Sequence, residues 1–95
     1  MAAPAIGVAH TLVISLFDMA NAGRIKTTPT IAAGDFKVSL NSGALANLAT
    51  LPVETPAGSG LVVVHLAAAE VVANTSLRWS DPDGEWADGH LFLDL

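Results

Sequence analysis

The sequence predicts an all-β protein, a small antiparallel Ig-like β-sandwich or barrel of about six to eight short strands with an extended N-terminal arm. Three observations carry that expectation. Residues 31–51 read as a hairpin, with Phe36, Val38 and Leu40 alternating against Lys37 and Ser39 before a polar Asn41-Ser42-Gly43 turn. Residues 61–66 (LVVVHL) form a β-branched apolar run, the strongest strand signal in the chain. Turn-rich segments interrupt such runs every ten or so residues.

Taken in order, residues 1–9 (MAAPAIGVA) have neither a helical period nor a clear alternation, and they read as an arm preceding a single domain at 10–95. Two readings of the arm stand side by side: a disordered tail, or a segment ordered on a neighbouring subunit, which Ile6 and Val8 favour. Residues 10–17 (HTLVISLF) are apolar on both faces and suit a central strand covered on both sides. Residues 18–28 supply a loop with Asn21, Gly23 and two of the positive charges, Arg24 and Lys26. Pro29 then permits a short strand at Thr30 and Ile31.

After the hairpin, residues 50–60 hold two prolines and two glycines and form a connection, with a brief extended piece at Val53. Alanines around Glu70 in residues 67–73 suggest one helical turn crossing between sheets, strand continuation being the alternative. Residues 75–80 alternate Leu77 and Trp79 inward against Ser76, Arg78 and Ser80 outward. An acidic turn at 81–89 and a last strand at 90–95 close the chain.

Composition narrows function. Ninety-five residues bury roughly 60 to 65% of their unfolded surface, enough for one core and one domain. Much of the 52% hydrophobic content is alanine, so the core falls to Val, Leu, Ile, Phe and Trp. The net charge is −5, and the four Lys and Arg are scattered singly, which argues against nucleic acid and against an anionic membrane surface as partners. There is no cysteine, so disulfides and thiolate metal sites are excluded. The opening apolar stretch lacks the basic flank of a signal peptide and ends at Asp18, too short for a transmembrane helix.

No catalytic constellation emerges. Asp81, Asp83, Glu85 and Asp88 cluster around Gly84, but Pro82 and Trp86 interrupt the ligand spacing of a calcium loop, leaving a solvated Asp-Pro-Asp-Gly turn as the simpler reading. His10, His65 and His90 each fall in a strand; converging, they would make a zinc site, but His65 reads as a hydrogen-bonded core or interface residue and the other two as solvent-facing. No serine lies in a Gly-x-Ser-x-Gly elbow, the clustered acids sit in one loop, and no phosphate or dinucleotide fingerprint occurs. The expectation is a non-enzymatic protein without metal or cofactor. Trp79 reads as core. Trp86, in a glycine-bounded acidic loop, is either folded over the sheet edge or exposed as a contact for a protein or sugar.

The run GDFKVSLNSGALANLA, the proline-bearing connection, the valine-rich strand ending in LAAAE and the segment from RW to the end resemble small β-sandwich accessory proteins of tailed-bacteriophage virions, of the head-decoration or cement kind. The matching positions are Gly34, Asp35, Lys37, Ser39, Gly43, Ala44, Asn47, Leu48, Ala49, Pro52, Leu66, Ala69, Glu70 and Trp79, over about two-thirds of the chain. The resemblance implies a protein made in the host cytoplasm that sits on the capsid exterior as an oligomer and binds the major capsid protein or another virion protein. A tail- or fibre-associated role and a host-surface or carbohydrate-binding module are the alternatives. Ile6, Val8, Arg24, Lys26 and Trp86 are the expected partner contacts. The arm and the acidic loop match nothing in the family pattern, so their role as contacts is inferred from their composition alone.

Overall fold

Hydrophobic alternation organises the chain into two facing sheets. The computed structural model describes residues 4–95, and among these the strands are, in chain order, β1 (His10–Ile14), β2 (Phe36–Leu40), β3 (Ala46–Asn47), β4 (Val53–Glu54), β5 (Val62–Leu66), β6 (Asn74–Trp79) and β7 (Gly89–Asp94). They form a three-stranded sheet, β1-β5-β4, and a four-stranded sheet, β3-β2-β6-β7, with antiparallel pairing throughout. The fold is all-β.

Between the sheets lies one core of Leu16, Phe36, Val62, Val64, Leu66, Val71, Leu77 and Trp86, with Leu12, Ile14, Leu91 and Leu93 packed against it. The β5 run is apolar except for His65, yet only Val62, Val64 and Leu66 point into this core; Val63 and His65 face outward. Burying a side chain of the Val or Leu class contributes about 1.5 to 3 kcal/mol, so these alternate positions are the three-stranded sheet's share of the drive to close the sandwich.

The β2–β3 hairpin turns where the sequence places it. Asn41 and Ser42 both take left-handed backbone angles, φ 49° and 63°, and Gly43 N–H donates to Leu40 O at 2.9 Å. Two successive positive angles match the right-handed twist of the flanking strands. The returning arm pairs through only two residues, Ala46 and Asn47.

From β5 a short 3-10 turn, Ala68–Glu70, carries the chain across to β6 in the other sheet. The Glu70 carboxylate reaches back to accept from Ala67 N–H at 2.8 Å, and its other oxygen accepts from Ala49 N–H at 3.1 Å. Thr75, fully buried, donates to Glu70 O and accepts from Val72 N–H, which fixes the entry into β6.

Three expectations need correction. β1 is an edge strand with Thr11 and Val13 exposed, not a central strand covered on both faces; its apolar outer positions belong to a surface. No strand forms at Thr30 and Ile31: Thr30 N–H goes to the Glu85 carboxylate and Ile31 packs on the core rim. The described part of the arm is not extended, because Val8 N–H donates to Ala5 O and closes a turn, while Gly7 N–H donates to Val71 O at 2.8 Å. Residues 1–3 of the arm lie outside the described residues.

Candidate binding faces

Register decides what each sheet shows to its surroundings. In the three-stranded sheet Val13 pairs with Val63, and Val63 pairs with Val53. These three valines therefore form one row across the whole outward face. Val13 and Val53 are 51% and 59% exposed, too open to be counted as core. Leu61, just before β5, and Phe17, beyond β1, continue the outward alternation of those strands. Ile25, bridged to Phe17, lies against Gly60, whose position would not admit a Cβ without striking the Ile25 side chain. The result is an apolar surface built from both edges and the centre of the sheet, the kind of patch that marks an association site.

The four-stranded sheet presents a different row. Asn47 pairs with Lys37, Lys37 with Arg78, and Arg78 with His90, so two of the chain's four Lys and Arg stand directly opposite each other on adjacent strands. All four side chains of the row are exposed. Like charges in directly opposed positions destabilise a sheet, and neither Lys37 nor Arg78 is in an ion pair among the described residues. Lys37, Arg78 and His90 of this row line a shallow concavity of about 490 Å³ whose apolar walls include Leu45 and Phe92. Trp79 closes one end, its indole lying over Gly89, where a Cβ would collide with the ring.

Most carboxylates have become loop anchors rather than ligands. Glu54 accepts from the backbone N–H groups of Thr28, Gly58 and Gly60 at 3.0, 2.8 and 2.8 Å. These bonds, Gly58 first, hold its carboxyl below the ordinary glutamate range. Asp18 accepts from Ala20 N–H, which likewise lowers its pKa. Asp35 accepts from Ala32 N–H, and Glu85 accepts from Thr30 N–H. In the acidic turn Asp81 accepts from Asp83 and Glu85 N–H at 3.1 and 2.8 Å, an Asx-type turn in which that carboxylate is already engaged. Among the described residues no three His, Asp or Glu side chains gather in a metal-holding group.

The expected contact residues scatter. Ile6 and Val8 are exposed, at 58% and 57%, on the N-terminal turn. Arg24 is exposed on the loop between Phe17 and Ile25. Lys26 is half-buried, and its ammonium pairs with Glu85 at 3.7 Å. Trp86 is not a contact at all: it is 1% exposed, its ring packs against Phe36 with centroids 5.9 Å apart, and its Nε1 donates to Thr30 O at 3.4 Å. His65 is exposed rather than core, with Nδ1 at 3.1 Å from Thr11 Oγ1 on the neighbouring strand. His10 lies on that same sheet and His90 on the other.

Sequence reasoning missed both rows. Alternation assigns Val13, Val53, Lys37 and Arg78 to outward or inward positions one strand at a time. Which of them share a row depends on strand order and register, and only the folded chain supplies those. Compared with known proteins, the chain matches no family model, no curated protein and no solved structure.

Proposed function

We propose that the chain is a non-enzymatic structural protein of a tailed-bacteriophage virion that adheres to the capsid surface and reinforces it, as a decoration or cement protein. The observation that supports this reading best is the outward valine row of the three-stranded sheet, Val13, Val63 and Val53, extended by Leu61, Phe17 and Ile25. A surface of this kind is matched by apolar area on another protein, and a shell of repeated subunits offers that area many times over. Many modest contacts then act together through effective concentration. Ile6 and Val8 on the N-terminal turn add apolar surface for the same purpose, and Arg24 adds an exposed cation.

The residues that carry the family resemblance also have structural work. Asp35 holds loop backbone in place by accepting from Ala32 N–H, and Glu70 does so by accepting from Ala49 and Ala67 N–H. A sugar-binding role loses its aromatic platform with the burial of Trp86.

The test is electron microscopy of particles with and without the protein, paired with a binding assay on stripped particles. Density on the head is the expected result, and density confined to the tail would move the assignment there. Val13→Glu with Val53→Glu, both at exposed positions, should lower particle binding by about a hundredfold or more while leaving the melting temperature nearly unchanged. Unchanged binding by that variant would remove the valine face from the interface.

A further inference from the structure

We propose that the outward face of the four-stranded sheet is a second docking site, and that its occupant is an acidic, partly apolar segment of a partner protein. In a chain of net charge −5, Lys37 and Arg78 are brought face to face on neighbouring strands, with His90 next in the row. That juxtaposition opposes sheet formation, and no carboxylate of the described chain relieves it by an ion pair, although there are nine Asp and Glu in the sequence. Of the acids that line the same concavity, Asp35 is buried and turned to Ala32 N–H, and Asp88 stands exposed near the start of β7. An anion from outside is the group that would quench the repulsion, and a recess of about 490 Å³ screens it less than an open surface does.

The chemistry of the walls chooses among anions. Leu45 and Phe92 flank the cations, which suits a chain that alternates carboxylates with apolar side chains. The Arg78 guanidinium offers a fork that a carboxylate fills with two parallel hydrogen bonds. A nucleic acid is disfavoured, because a polyanion meets only two permanent cations here and the negative field of the rest of the molecule. This site lies on the opposite sheet from the valine row and does not depend on it.

The experiment uses the full chain and a short fluorescent peptide alternating glutamate and leucine. Fluorescence anisotropy should show saturable binding that weakens as salt rises, and the matching glutamine peptide should not bind. Lys37→Ala with Arg78→Ala should weaken the acidic peptide by about tenfold or more. That variant should melt at the same temperature as the parent or higher, since a repulsion has been removed. Amide shifts on peptide addition should centre on β2, β6 and β7. The proposal is overturned by absent saturation, by equal binding in the double variant, by shifts centred on the three-stranded sheet, by a lower melting temperature of the variant, or by an oligonucleotide that displaces the peptide. Val13→Glu with Val53→Glu should still bind the peptide, which separates failure of this site from failure of the capsid reading.

Discussion

Trp79 and Trp86 stand at the two ends of one acidic turn, and the chain around them is organised in opposite ways. Trp79 sits in β6, where the ladders to β2 and β7 fix its backbone, yet its indole is only half-buried, stacked on Phe36 at 5.8 Å and lying over Gly89. Trp86 lies outside the named strands and is the largest fully buried side chain among the described residues. Its backbone is held by an improvised ladder: Met19 N–H donates to Glu85 O, Ala87 N–H donates to Phe17 O, and Asp18 bridges to Trp86. The centre of this core is therefore delivered by loops. The regular strands form its walls, and the segment after the acidic turn inserts its main plug.

Truncating each indole in turn separates the two roles with the largest expected effect. Trp86→Ala leaves a cavity between Phe36 and the loop at Thr30, and it should cost roughly 3 to 5 kcal/mol, a large share of the stability of a domain this size. Trp79→Ala should cost no more than about half as much, because a smaller part of its surface is removed from water. Urea unfolding of the two variants beside the parent measures the difference. A larger loss at Trp79 would mean that the ladder position, and not the loop-held one, organises the core.

These two residues also show how far the sequence could be read. Strands β2, β5, β6 and β7 were legible because each repeats an alternation or an apolar run long enough to fix its type, and the Asn41-Ser42-Gly43 turn announced itself by residue chemistry. Trp86 was not, because it has no periodic neighbours; its burial follows from Phe17, Asp18, Met19 and Thr30, all distant in the chain. The same holds for β1. Residues 10–17 are apolar on both faces, which suits a covered central strand, but here the outer positions Val13 and Phe17 build the exposed apolar surface. Composition cannot distinguish a side chain buried inside its own domain from one available to another.

A step down in magnitude come the carboxylates that hold the loops. Glu70 is the buried case, reaching Ala67 in the crossover and Ala49 in the connection after β3. Glu70→Gln preserves shape but turns an amide NH2 toward one of two backbone N–H groups, leaving a donor facing a donor. The expected cost is about 1 to 3 kcal/mol by equilibrium unfolding. The site should also be felt on both sides of the bond, as lost hydrogen-exchange protection at Ala49 as well as at Ala67. If Ala49 alone stayed protected, the connection after β3 would be held by something other than this carboxylate.

The mildest perturbation is at Glu54, the half-buried counterpart, whose carboxylate gathers Thr28, Gly58 and Gly60. Because those bonds favour the ionised form, its folded-state pKa lies below the unfolded value, which for glutamate is about 4.3. The contribution to stability is present above the unfolded value and is lost as pH falls through the depressed folded value. In an acid titration followed by NMR, the Thr28, Gly58 and Gly60 amide signals should move together, with a midpoint below the ordinary glutamate value. In Glu54→Gln they should stay still. The melting temperatures of parent and variant should differ at neutral pH and converge in acid, where the parent too has lost its ionised acceptor. A midpoint at or above the ordinary value would show that these amides do not stabilise the charge, and the loop beside the valine face would need another anchor.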